Sequence, residues 1–232
     1  MGSGQRTLPF LQGDQVSSTT GLNLIACSDP SLERGALAGA WFLGDEGIGP
    51  LPEFLVPILR HAIAQLGAEK VILFGGSGGG YAAVNFARFF EGATALAMNP
   101  RLNLLNRPRT NLEQYLEVCH GAVSDASIAR IKSEFFTANL ADVLNEGQNF
   151  DLLLLQNQND RHYLKGQMIP FLKERESLER VWVNLYDGKP GHSIMARSEL
   201  AGVLRAVADK LEGLKDCYED AGFRPASGIT FS

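Results

Sequence analysis

Cysteine is scarce in this chain. Cys27, Cys119 and Cys217 are its only three, they lie far apart, and none forms a C-x-x-C pair. Neither a disulfide framework nor a structural zinc site is suggested by such spacing, and a reducing, cytoplasmic location is the expectation. Positive charge is also in short supply: 21 Lys and Arg stand against 26 Asp and Glu, a net of −5. That balance leaves no basic face on which nucleic acid or an anionic membrane surface could dock. No apolar run reaches the roughly 18 residues of a membrane span. The opening MGSGQRTLPFLQGDQ lacks the apolar centre of a secretory signal, and it carries Arg6 where N-myristoylation needs Ser or Thr. No H-E-x-x-H or comparable ligand spacing is present, so no metal or other cofactor is expected.

What is present is a regular alternation. The 232 residues suit one domain, with roughly 70–75% of the unfolded surface buried on folding. Apolar runs of strand length occur at 22–27, 37–43, 70–74, 94–98, 150–156 and 180–186, and their successive apolar positions predict burial on both faces. Between them lie helical segments: PEFLVPILRHAIAQLG, with Pro52 in its first turn, Gly67 at its end and Pro57 expected to kink it; GGYAAVNFARFFEG; QMIPFLKERESL; and a last one over 193–214 with Leu200, Val203, Leu204, Val207 and Leu211 on one stripe. The fold class is therefore α/β, a mainly parallel sheet with helices on both faces. From about 99 to 147 the rhythm breaks into helical pieces without a strand, as a small helical cap inserted over the sheet would.

The run Gly75–Gly80 decides the functional reading. No Lys follows it, so it is not a P-loop. Gly78 to Ala83 fits G-x-G-x-x-A, but the next strand ends in Met98-Asn99-Pro100 rather than in the acid that holds a ribose, and two strands are expected before it, where a dinucleotide unit would normally begin its domain. The third reading is G-x-S-x-G, met by Gly75-Gly76-Ser77-Gly78-Gly79 at a strand-to-helix turn. There a serine sits at a strained backbone angle, and Gly75 and Gly79 would relieve the clash of strand against helix. The Gly78 N–H at the helix N-terminus would then face an oxyanion, with Gly76 and Tyr81 beside it.

Serine needs a base, and the base an orienting acid, in the order Ser, acid, His. Asp160 lies in the loop after 150–156, and His192 in the loop after 180–186. His61 reads as a surface or packing residue and His120 as a structural one. His162 is too near Asp160 to be oriented by it, and Asp187 reads as a turn former with Gly188. A second oxyanion donor is expected at Ser28, with Asp29 the next choice. Arg101, Arg107, Arg109, Tyr115 and His120 in the insertion could contact a substrate, but read more simply as a solvated cap surface.

With Ser77, Asp160 and His192 in that order, the chain resembles the α/β-hydrolase superfamily over most of its length. More narrowly, WFLGD, LFGGSGGGYAA, MNPRLNLLN, LQNQNDRHY and GKPGHS resemble a bacterial group of small α/β-hydrolase-like proteins. That group occurs beside surface-polysaccharide and glycoprotein glycosylation systems and includes the acetyltransferase-like component of accessory secretion. The resemblance implies Ser77 as nucleophile, Asp160 as acid and His192 as base, acting on a small-molecule or glycan acyl ester. Hydrolysis through an acyl-enzyme is the leading expectation; O-acyl transfer to a sugar, or a non-catalytic binding or assembly role, are the alternatives. Glycine on both sides of Ser77 departs from the usual elbow and predicts either open pocket walls or a loosely held site.

Overall fold

The computed structural model describes residues 8–106, 110–122, 124–209 and 214–230. Helix α1 (Asp14–Thr20) is followed by a single 3-10 turn at Pro30–Arg34, then a two-residue hairpin, β1 (Gly44–Asp45) and β2 (Gly49–Pro50), and α2 (Leu51–Gln65). The elbow strand β3 (Ile72–Gly76) leads into α3 (Gly78–Ala87), then β4 (Thr94–Met98). Helices α4 (Thr110–His120), α5 (Asp125–Phe135) and α6 (Leu140–Glu146) fill the expected insertion, and β5 (Asp151–Asn157) follows. Next, α7 (Arg161–Tyr163) runs through a π turn at Leu164–Met168 into α8 (Ile169–Glu174). The chain closes with β6 (Val181–Tyr186), α9 (Arg197–Ala208), α10 (Leu214–Asp220) and β7 (Arg224–Pro225).

The main sheet has the order β3-β4-β5-β6-β7. Its first three pairings are parallel and the β6–β7 pairing is antiparallel. Alternate residues serve alternate faces. Ala95, Ala97, Leu152, Leu154, Val181 and Val183 pack with Tyr81, Val84 and Phe86 of α3 and with α6 and α8. Leu96, Met98, Leu153, Leu155 and Trp182 pack with Leu200, Leu204 and Val207 of α9 and with Tyr218. Leu152 to Leu155 are all fully buried, each burial worth about 1.5–3 kcal/mol. The chain is thus α/β with helices on both faces of a mainly parallel sheet. Parallel pairing also sends the loops after β3, β4, β5 and β6 to one edge, where ligands bind in open α/β sheets.

Several expectations are corrected. Residues 22–27 and 37–43 are not strands. Leu24 and Ile25 are exposed, and Trp41 and Phe42 adopt left-handed backbone, φ 55° and 58°, closing a turn in which Leu43 N–H donates to Ala40 O. Their apolarity reflects packing of a loop, with Ala40, Trp41 and Leu43 buried, not a ladder. Consequently β3 is an edge strand, and Phe74 is exposed rather than covered on both faces. Among the described residues no strand of the main sheet precedes β3, so strand position does not speak against a dinucleotide site, whereas the neutral Asn99 after β4 does. Pro57 sits inside α2 without interrupting it. The helix expected over 193–214 is α9, Arg197–Ala208; it starts late because Ser193 N–H is turned back onto Gly191 O, and Leu211 lies outside the described residues.

Candidate active site

Ser77 joins β3 to α3 with φ 54° and ψ −115°. A non-glycine residue there costs on the order of 1–3 kcal/mol, so its surroundings must hold it. Ser77 N–H donates to Met98 O (2.9 Å), and Ser77 O accepts from Gly80 N–H (3.1 Å) and Arg101 N–H (3.0 Å). The glycines divide the work unevenly. A Cβ at Gly75 would stand 2.1 Å from Gly79 O, and one at Gly80 2.8 Å from Pro100 Cβ, whereas one at Gly79 would meet nothing within 4 Å. Close approach of β3 and α3 therefore needs Gly75, and seating α3 against Pro100 after β4 needs Gly80; Gly79 is needed for neither. The wall beside Gly78 is not open: Trp41 Cδ1 lies 3.1 Å from where a Gly78 Cβ would be. Gly76 faces Met98, whose Cε is 3.3 Å from the corresponding point.

Asp160 and His192 are brought together. Asp160 Oδ2 is 2.6 Å from His192 Nδ1, and Asp160 is buried while His192 is half-buried. The carboxylate takes Nδ1–H, which leaves Nε2 as the basic nitrogen. The other carboxylate oxygen caps α7, accepting Tyr163 N–H at 3.1 Å. The loop carrying His192 is organised by Asn157 at the end of β5. Its Nδ2 lies 2.8 Å from Lys189 O, 3.0 Å from Gly191 O and 2.9 Å from Ser193 Oγ, and its Oδ1 accepts from Asn159 and Gly188 N–H. Asn99, at φ 43°, ties the end of β4 to the same loop through Ser193 O and Tyr186 Oη, each 2.8 Å away.

Tyr163 joins the two halves. Its hydroxyl is 3.2 Å from Ser77 Oγ, and its ring stacks on His192 with centroids 4.0 Å apart and planes 23° apart. Among the described residues this tyrosine is the side-chain hydrogen-bond partner of Ser77, and no hydrogen bond joins Ser77 to His192. The sequence signal for Tyr163 was slight: it is the third residue of a helix that Asp160 caps, which places its backbone, but not its ring, beside the acid.

Other expected residues fall elsewhere. Ser28 Oγ accepts from Phe10 N–H (2.9 Å), and no described contact brings it to the elbow. Asp29, buried, accepts from Ser31 and Phe42 N–H; burial pushes its carboxyl upward while these donors hold it back. From this region it is Trp41 that reaches Gly78. Tyr81 is fully buried and donates to Thr137 O (2.6 Å), facing the core rather than a substrate. Of the insertion residues read as solvated, Arg101, Tyr115 and His120 are buried, and Arg107 and Arg109 lie outside the described residues. Arg101 donates to Leu104 O and Asn106 O, and its guanidinium lies 5.7 Å from the Trp41 ring. Burial lowers its proton affinity. His61 and His162 are exposed, and exposed Asp187 accepts from Gln158 and Asn159 side chains. Among the described residues no three His, Cys, Asp or Glu side chains gather to hold a metal ion, and no helix is long and apolar enough to cross a membrane.

No family model and no curated protein matches the chain. Solved structures do. The Glycosylation Associate Protein (Gap123) complex from Streptococcus agalactiae shares 19% identity over 75% of this chain and 34% of that one, with a TM-score of 0.48. An S-formylglutathione hydrolase from Agrobacterium tumefaciens shares 18% over 69% of this chain and 56% of that one, TM-score 0.45. MGS-MChE2, an α/β hydrolase enzyme from the metagenome of lagoon sediments at Mar Chica, Morocco, shares 17% over 68% and 70%, TM-score 0.42. The chain spans about a third of the first of these and little more than half of the second.

Proposed function

We propose that this protein is a carboxylic ester hydrolase of the serine type. The observation that carries the proposal is Ser77, held at a left-handed strand-to-helix turn on the same sheet edge as the Asp160–His192 pair. Ser77 Oγ attacks the ester carbonyl as His192 Nε2 accepts its proton, and Asp160 keeps the imidazole in the tautomer that leaves Nε2 free. The oxyanion is met by the N–H of Gly78 at the α3 N-terminus, which has no acceptor among the described residues. Trp41 takes the place first given to Ser28 as second donor. Its indole lies against Gly78, with Nε1 3.2 Å from where a Gly78 Cβ would stand. Collapse of the tetrahedral adduct expels the alcohol, protonated by His192; water then repeats the sequence on the acyl-enzyme and restores Ser77. With a sugar hydroxyl in place of water the same intermediate gives acyl transfer, and product analysis with a glycan acceptor separates the two.

The test is covalent labelling by an active-site serine probe together with hydrolysis of synthetic acetyl, butyryl and octanoyl esters. Wild type is expected to be labelled and active and Ser77→Ala neither. Labelling that persists in Ser77→Ala would refute the assignment.

A further inference from the structure

We infer that Tyr163 controls access to the nucleophile. This rests on Ser77 being the nucleophile. For proton transfer, His192 Nε2 must come within about 3.2 Å of Ser77 Oγ, directly or through one water. In the structure the partner of Ser77 Oγ is the phenol, at 3.2 Å, and the ring behind that phenol lies flat on the imidazole. Tyr163 therefore fills the place where the reacting carbonyl and the attacking water must stand. Asp160 and the Asn157-bound loop keep His192 from retreating out of the site, while its imidazole remains able to turn about the Asp160 hydrogen bond towards Ser77 once the phenol has left. What moves is the tyrosine side chain, which is half-buried, carries no other hydrogen bond on its hydroxyl among the described residues, and stands on a three-residue helix followed by a π turn. Any ester, short or long, needs that place, and Tyr163 thus competes with substrate for Ser77.

The experiment compares wild type, Tyr163→Phe and Tyr163→Ala in the full chain, using a short-alkyl fluorophosphonate. Losing one hydrogen bond from the closed arrangement should speed labelling by about two- to tenfold in Tyr163→Phe. Tyr163→Ala should be at least as fast. A crystal structure of Tyr163→Ala should place His192 Nε2 within hydrogen-bond reach of Ser77 Oγ. Unchanged or slower labelling in both variants, or a histidine that stays apart from the serine, overturns the inference. If no form is labelled and yet the histidine closes onto the serine in Tyr163→Ala, the occluding role stands and the esterase proposal fails.

Discussion

Replacing Gly75 by Ala asks whether the glycine run is a packing device. The new Cβ would stand 2.1 Å from Gly79 O, 2.3 Å from the Gly79 carbonyl carbon and 2.9 Å from Gly80 N. All three are backbone atoms of the first turn of α3, so no rotamer change relieves the overlap; the helix must lift off the strand. Overpacking costs about 1–3 kcal/mol, and backbone contact puts this case at the upper end. For a chain of this size each kcal/mol lowers Tm by about 2–4 °C, so Gly75→Ala should lose about 6–12 °C. Gly79→Ala is the control. Its Cβ meets nothing within 4 Å, and Ala in a helix is favoured over Gly by up to about 1 kcal/mol, so Tm should rise by as much as about 2–4 °C. Scanning calorimetry gives both numbers, and serine-probe labelling should slow in Gly75→Ala only, because lifting α3 moves Ser77. Equal shifts of the same sign in the two variants would refute the reasoning.

Asn157→Ala should leave the backbone carbonyls of Lys189 and Gly191 without their side-chain donor, at about 1–3 kcal/mol; the expected kinetic result is a fall in kcat with little change in KM, since the His192 loop is loosened while substrate contacts are untouched. His120 should make stability depend on acid. Tyr115 commits its proton to Gly44 O (2.6 Å), so His120 Nε2 donates to Tyr115 Oη and Nδ1 is left buried without a partner. Burial depresses its proton affinity in the fold, so the unfolded chain binds the proton more readily, and stability is complete above about pH 6.5 and declines as pH falls from there towards the folded-state value. Urea titrations from pH 7.5 to 5 should show that slope in wild type and a flatter one in His120→Phe; equal slopes would count against it.

The interior strands were legible because residues apolar at every position have few places to go other than a doubly covered sheet: 94–98 is β4, and β5 and β6 begin one residue later than expected. The same criterion misled at 22–27 and 37–43, where a loop packs apolar side chains without joining a ladder and where Phe42 N–H is taken by the Asp29 carboxylate instead of a neighbouring strand. The elbow strand was placed two residues early, since glycine reads as a strand end although Gly75 and Gly76 pair with Ala97 and Met98. Asp160 and His192 could be paired from chain order alone. Tyr163 could not, because its meeting with Ser77 spans 86 residues of sequence and follows from the geometry of two loops. Arg101 was misjudged because a guanidinium reads as solvated; here carbonyls within its own loop, Leu104 O and Asn106 O, stand in for water.

The edge position of β3 divides the site into regions of unequal stability. Asp160 and His192 hang from β5 and β6, each hydrogen-bonded on both sides, whereas Ser77 hangs from a strand with one neighbour among the described residues. Openings that begin at a sheet margin and propagate inward would release Ser77 first and leave the Asp160–His192 pair assembled. Slow loss of probe labelling and global unfolding are then separate events, and ligands that bridge Ser77 to the β5 and β6 loops should protect the reactivity of Ser77 more than they raise the melting temperature.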